Sequence, residues 1–331
     1  MTLCHSCFKP LAEGRKGLFC PKCSRALFGL SSFNGILDFD APELRSGDGE
    51  HSRISISGAQ VKFSVKVAEK KIELVQRGGT HILKPTVDAS YVDYLDIPAN
   101  EHVTMQMARQ IFRIDTAESA LLYFKSGAPV YITKRFDVLS DGFHCKQEDF
   151  AQIANLTAEV YGSNYKYSAI SYEGIAELIN EYVSAGVVAL EKFFKLLLFN
   201  YLVCNGDAHC KNFSLYKLSA AGNDELTPAY DLMNTSLHVT NELSRTALDF
   251  FKDESEFQTD FYAANGFYGT PDFMEFAKRI GIKETRAQKF IKVALASIPA
   301  MEQMLDSCFL SDRNKQRYKD CIRDREKALS I

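Results

Sequence analysis

The sequence predicts an α+β fold in two lobes, β-rich first and α-helical second, preceded by a small metal-held ribbon. Three observations carry this prediction. Two Cys-x-x-Cys pairs open the chain, alternating strand patterns fall within residues 53–140, and helical periodicity runs almost throughout residues 141–331. The implied division is a zinc ribbon at 1–30, a linker at 31–52, a β-rich lobe at 53–140 and a helical lobe at 141–331. With 331 residues, 46% hydrophobic and 24% charged, the composition excludes disorder, collagen and coiled coil. Thirty-nine basic against 42 acidic residues give a net charge of −3, so bulk charge attracts neither nucleic acid nor anionic lipid.

The ribbon comes first. Cys4-x2-Cys7-x12-Cys20-x2-Cys23 has the ligand spacing of a tetrahedral structural zinc, each pair placing two thiolates on one tight turn about 2.3 Å from the metal. Redox dithiols or an iron site are the alternatives at this point. Gly14, Gly17 and Pro21 supply turn residues, and His5 reads as a solvated turn residue rather than a ligand. Residues 31–52 are turn-forming and acidic without a period, which makes them a linker. Residues 61–67 then alternate strictly, with Val61, Phe63, Val65 and Val67 on one side, as a half-buried strand does. Residues 71–76, Gly78-Gly79 and residues 80–85 continue as strand, turn and strand.

An amphipathic helix is expected over residues 100–112, where Val103, Met107 and Ile111 recur at helical spacing. Residues 118–124 and 128–137 read as two further strands. Helices are expected at 175–183, 187–204, 272–280, 285–298 and 312–329. The apolar run 196–204 is too short to span a bilayer and reads as a buried helix. The N-terminus lacks the apolar core of a secretory signal, so a cytoplasmic protein with no membrane partner is expected.

Chemistry concentrates after that apolar helix. In residues 205–215 a carboxylate, Asp207, is followed five positions on by an amide, Asn212. That pairing suits phosphoryl transfer, the first orienting and deprotonating an attacking hydroxyl and the second holding magnesium. Asp231 could supply a second metal carboxylate, Lys84 could neutralise nucleotide phosphates, and Glu101 could pair with that lysine. Each alone has an ordinary role: Asn-Gly-Asp is a common turn, Lys84 a solvated strand end, and Glu101 a favourable charge in a first helical turn. It is their order along one chain that points to a kinase.

These residues resemble the HipA-type serine/threonine kinases of bacterial toxin–antitoxin systems. The likeness covers roughly residue 52 onward. It is carried by residues 55–62 (Ser-Ile-Ser-Gly-Ala-Gln-Val-Lys), 80–85 (Thr-His-Ile-Leu-Lys-Pro), Asn100-Glu101, 134–137 (Lys-Arg-Phe-Asp), 205–215 and Tyr230-Asp231. The resemblance implies a two-lobed protein-kinase-like fold that binds ATP and Mg2+. It implies Asp207 as catalytic base, Asn212 and Asp231 as magnesium ligands, Lys84 as the phosphate-binding lysine and Glu101 as its ion-pair partner. ATP contacts are implied for Ser57, Gly58, Ala59, Gln60 and Lys62 of the phosphate loop, for Lys134, Arg135 and Phe136 of the adenine hinge, and for Asp137 near the ribose. His209, Lys211 and Tyr230 complete that set.

Residues 57–60 hold one glycine where ordinary kinases have three, a degenerate loop that is itself the family pattern. In this family a loop serine phosphorylates itself, and Ser55 or Ser57 fits. Phosphate there would add roughly −2 charge at the mouth of a triphosphate site, disfavouring ATP or ejecting the loop. Lys134 stands where many members carry an acidic residue. The loop begins too early for the family's additional N-terminal subdomain, so a separate small protein is expected to supply it. The resemblance further implies an aminoacyl-tRNA synthetase or another translation component as substrate, and a HipB-like DNA-binding antitoxin as partner through which alone DNA is reached. A regulatory pseudokinase and a small-metabolite kinase on the same fold are the competing readings.

Overall fold

The computed structural model describes residues 2–15, 17–41, 61–86, 91–139, 143–219, 222–240 and 245–331. At the N-terminus the four sulfurs of Cys4, Cys7, Cys20 and Cys23 lie within 4.8 Å of one another. Two backbone amides point at them: Cys20 N donates to Cys4 Sγ at 3.2 Å and Cys23 N to Cys20 Sγ at 3.5 Å. The second bond caps helix α1 (Pro21–Phe28). Leu27 and Phe28 of α1, with Phe19 and Phe33, bury in the same apolar cluster as Val65, Ile72, Leu83, Leu122, Val130 and Ile132 of the adjoining sheet. Each buried ring is worth about 1.5–3 kcal/mol. Phe28 packs on Phe19 and Phe33 at 5.3 and 4.7 Å, and the ribbon shares this one core with the sheet.

Two sequence expectations change here. His5 is not solvated: it is buried, its ring 4.1 Å from Phe309 of the helical lobe and 5.6 Å from Tyr123. Residues 33–39, expected in a linker, run along the sheet edge. Leu37 N donates to Tyr123 O at 2.8 Å, Tyr123 N to Gly35 O at 3.1 Å, and Phe33 and Leu37 are buried. Gly35 has φ 84°, and a Cβ there would sit 2.7 Å from the Leu18 side chain, so the close approach needs glycine. The turn-rich composition of this stretch masked the burial of Phe33 and Leu37.

The five-stranded antiparallel sheet has the order β2-β1-β3-β5-β4, with β1 (Phe63–Ala68), β2 (Lys71–Leu74), β3 (His81–Pro85), β4 (Ser119–Tyr123) and β5 (Pro129–Lys134). Glu69 and Lys70, at φ 47° and 68°, make the two-residue β1–β2 hairpin loop. Helix α2 (Ile97–Gln110) crosses behind it. The expected amphipathic helix is instead buried all round from Ile97 to Ala108. The sheet covers one face, Phe8 of the ribbon lies 4.9 Å from the His102 ring, and Tyr318 of the last helix bonds Thr104 at 2.8 Å.

The second lobe is less purely helical than expected. A three-stranded sheet, β6 (Lys146–Asp149), β7 (Ser214–Lys217) and β8 (Glu225–Leu226), lies within it; strands this short show no period. Helices α3 (Tyr172–Tyr182) and α4 (Gly186–Leu202) carry the main core, the apolar run sitting in α4 as expected. After a short helix at Asp260–Asn265 come the longer α5 (Thr270–Arg279), α6 (Glu284–Ala296), α7 (Ile298–Ser307) and α8 (Asp312–Ser330). Pro299 near the start of α7 ends the helix expected at 285–298 and opens one that the pattern did not announce. Among the described residues no helix is long and apolar enough to cross a membrane.

Candidate active site

Strand β3 places Lys84, 3% exposed, facing α2 and the segment that begins the second lobe's Tyr230-Asp231. Its ammonium donates to Glu101 Oε1 at 2.6 Å and, more closely still, to Asp231 Oδ1. Lys62 on the sheet side approaches Asp231 Oδ2 at 3.7 Å. Burial works against the Lys84 charge, but Asp231 and Glu101 outweigh it and hold the ammonium above its ordinary range. Burial would likewise raise Asp231, yet Lys84 and Lys62 keep its carboxyl well below the usual range. Glu101 goes the other way: complete burial pushes it up to about 7, against the pull of Lys84. One ammonium shared by two carboxylates serves Asp231 first.

The catalytic-loop candidates leave α4 through Cys204 at φ 55°, a left-handed turn matched by Asp231, also at φ 55°. The loop is then pinned from within. Asn205 Nδ2 donates to Asn200 Oδ1 at 3.0 Å, Gly206 N to Thr235 Oγ1 at 2.8 Å, and Asp207 N to Asn205 Oδ1 at 3.3 Å. Asp207 is 9% exposed, its Oδ1 accepting the Tyr167 hydroxyl and lying 3.8 Å from His209 Nε2. His209 is buried, and burial lowers its pKa to about 4, so the imidazole is neutral at pH 7. The Asn212 Oδ1 atom is buried without a hydrogen-bond partner among the described residues. That amide oxygen and the Asp231 carboxylate are hard oxygen donors of the kind magnesium takes.

Beside this centre lies a cavity of about 420 Å³ lined by Arg135, Asp137, Gln147, Lys211, Ser214 and Tyr230, among others. Arg135 and Asp137 form an ion pair, Phe136 packs 5.8 Å from the Tyr230 ring, and Tyr230 Oη donates to the Lys211 carbonyl at 3.0 Å. Lys134 turns elsewhere, its ammonium reaching the Ala26 carbonyl of the ribbon at 3.4 Å. Ser55, Ser57, Gly58, Ala59 and Gln60 lie outside the described residues. Sequence reading missed Tyr131, whose buried ring lies 5.4 Å from the Lys84 ammonium, and Tyr167. Tyr131 has the alternation of an ordinary core strand, and Tyr167 sits in short turns with no period.

Lys84, Glu101 and Asp231 thus join the two lobes. A model of the HipA-like C-terminal domain matches residues 54–301. The chain belongs to this family. This HipA-like chain is 26% identical over 347 residues to a Haemophilus influenzae protein named "Putative kinase", spanning 97% of this chain and 94% of that one. It is 32% identical over 215 residues to "Putative kinase Y4dM" of Sinorhizobium fredii, covering 60% of this chain and 49% of that protein. Among solved structures it resembles HipA of the Shewanella oneidensis toxin–antitoxin system, determined with HipB and operator DNA. That match has a TM-score of 0.66 at 18% identity over 87% of this chain and 68% of HipA. The Helicobacter pylori proinflammatory kinase CtkA matches at TM-score 0.51 and 14% identity, over 88% of this chain and 95% of CtkA. The HipA-like fold is thus the two-lobed kinase-like one, with a ribbon of four clustered cysteines in front.

Proposed function

We propose that this HipA-like chain is an ATP- and magnesium-dependent protein serine/threonine kinase acting as the toxin of a toxin–antitoxin pair. The observation that carries this reading is Lys84, an ammonium buried between lobes and held by Glu101 and Asp231. The two carboxylates keep that ammonium charged at the cleft, where the phosphates of a nucleotide would meet it. Asp207 orients the acceptor hydroxyl and takes its proton, with neutral His209 beside it. Asn212 and Asp231 are the residues that would hold magnesium, and Arg135, Phe136, Asp137, Lys211 and Tyr230 frame the space for the nucleoside. When bound, ATP supplies the phosphoryl group and magnesium neutralises its charge.

The four thiols suit a structural zinc, since a full set of protein ligands leaves no open position for chemistry. By likeness to the Shewanella protein, determined with HipB and operator DNA, the partner is a HipB-like DNA-binding antitoxin. The substrate proposed is an aminoacyl-tRNA synthetase or another cytoplasmic translation component, with self-phosphorylation on Ser55 or Ser57 as the off-switch. Purified protein given ATP and magnesium should transfer phosphate to protein, and Asp207→Ala should slow this by about a thousandfold. In cells the wild type should arrest growth and the variant should not. Equal arrest by both, or transfer to small solutes alone, overturns the reading.

A further inference from the structure

Between the buried Leu156 and Tyr172 the chain forms a strap built on two single helical turns, Ala158–Tyr161 and Tyr165–Ser168. Its tip is bare, Val160 being 72% and Tyr161 49% exposed. Its second turn is fastened to the catalytic loop. The Tyr167 hydroxyl donates to Asp207 Oδ1, and Cys210 Sγ donates to the Lys166 carbonyl at 3.2 Å. The Tyr167 ring stands edge-on to His209 at 5.0 Å, with the Lys166 ammonium 5.0 Å from its centre. Just past the strap, Tyr172 Oη donates to the Ala208 carbonyl at 3.0 Å, a fixed anchor against which the strap can lift.

A phosphoryl acceptor must present its hydroxyl within hydrogen-bond reach of the base that will take the proton. Tyr167 already makes that bond. We propose that Tyr167 is a placeholder for the acceptor: its phenol closes the acceptor side of the site until a protein substrate displaces the strap and offers a serine or threonine hydroxyl in its place. The inference rests on Asp207 being the base. The placeholder's consequence is selectivity between acceptors. Water cannot lift the strap, so ATP is not hydrolysed while Tyr167 is seated, whereas a protein segment docking on the bare tip can exchange one hydroxyl for another. The exchange trades like for like, so a bulky acceptor is admitted and a small one is screened out.

The test uses the full chain with magnesium-ATP, dephosphorylated casein as the probe acceptor, and the variants Tyr167→Phe, Tyr167→Ala and Tyr167→Ala/Asp207→Ala. Without casein, Tyr167→Ala should hydrolyse ATP about tenfold faster than wild type, the weight of one hydrogen bond to a charged group. Tyr167→Phe, which keeps the ring, should fall between them, and the double variant should show no gain. With casein, KM should drop about tenfold in Tyr167→Ala while kcat stays within about twofold. A tyrosine that merely orients Asp207 would lower kcat instead. Hydrolysis by Tyr167→Ala at or below the wild-type rate, with unchanged ATP affinity and thermal midpoint, overturns the proposal. So does phosphate recovered on Tyr167 itself, which would make it an acceptor. A wild-type chain that neither binds ATP nor phosphorylates any protein overturns the kinase reading underneath, a result distinct from a kinase whose Tyr167 variants show no gain.

Discussion

Lys84 donates to two carboxylates, and the structure says which one holds its charge. Asp231 is kept ionised by Lys84 and Lys62, whereas Glu101 is pushed by burial up to about 7. Glu101→Gln, which keeps the shape and an acceptor oxygen for Lys84, should therefore cost no more than about 1 kcal/mol in urea unfolding. Lys84→Met removes the cation from a buried cluster and should cost about 3–5 kcal/mol. The two should also differ with pH. A buried acid whose folded value is raised destabilises the fold as pH climbs from its unfolded value near 4.5 to about 7. Glu101→Gln lacks that loss, so it should gain on wild type across this window. The reverse order of costs would mean that Glu101 holds the charge. The three residues were each readable in the sequence as candidates. What could not be read is that Lys84 also meets Asp231, 147 positions away in the other lobe.

At the scale of elements, the ribbon's knuckle and α2 act as one piece. Gln110 Nε2 donates to the Cys7 carbonyl at 3.1 Å, Phe8 lies on His102, and Ser6 Oγ donates to the Ser119 carbonyl at 3.0 Å. His102 neighbours Glu101, so the cysteine turn braces the helix that carries the ion-pair partner of Lys84. Stripping metal with a chelator should lower amide-exchange protection across Ile97–Gln110 by about tenfold or more and leave Glu284–Ala296 unchanged. Equal loss in both helices, or none in α2, would show that the ribbon does not brace it. The cysteine spacing was legible because two Cys-x-x-Cys pairs are the pattern that gathers four thiols round one point. The docking was not, since His102 and Gln106 lie off the expected apolar stripe of Val103, Met107 and Ile111 and yet are buried. The first lobe's strands could be read from their alternation. Those of the second lobe could not, being two to four residues long, with β6 and β7 paired across some 65 positions of chain.

Across the whole molecule, buried histidines sit where its parts meet. His102 lies between ribbon and helix, and His81 bonds the Leu27 carbonyl of α1 at 2.6 Å. His238 meets Asn100 of α2 at 2.9 Å and the Val92 carbonyl at 2.8 Å, and His209 lies beside Asp207. Burial lowers the pKa of all four, to about 3 for His102 and about 4 for His209. Each is neutral when folded and takes a proton near 6.5 when unfolded. The unfolded chain thus binds more protons below pH 6.5, and stability must fall as pH falls through that value toward the folded ones. Carboxylates alone would delay acid unfolding to around pH 4–5, whereas here the decline should begin near 6.5. Neither ring nitrogen of His102 has a hydrogen-bond partner among the described residues, so an apolar replacement forfeits no bond. His102→Met should keep the neutral-pH stability within about 1.5 kcal/mol and flatten the decline below pH 6 by up to about 1.4 kcal/mol per pH unit. Urea unfolding from pH 7.5 to 4.5 measures both slopes. Parallel slopes for the two proteins would mean that the His102 seat beside Phe8 of the ribbon admits a proton without opening.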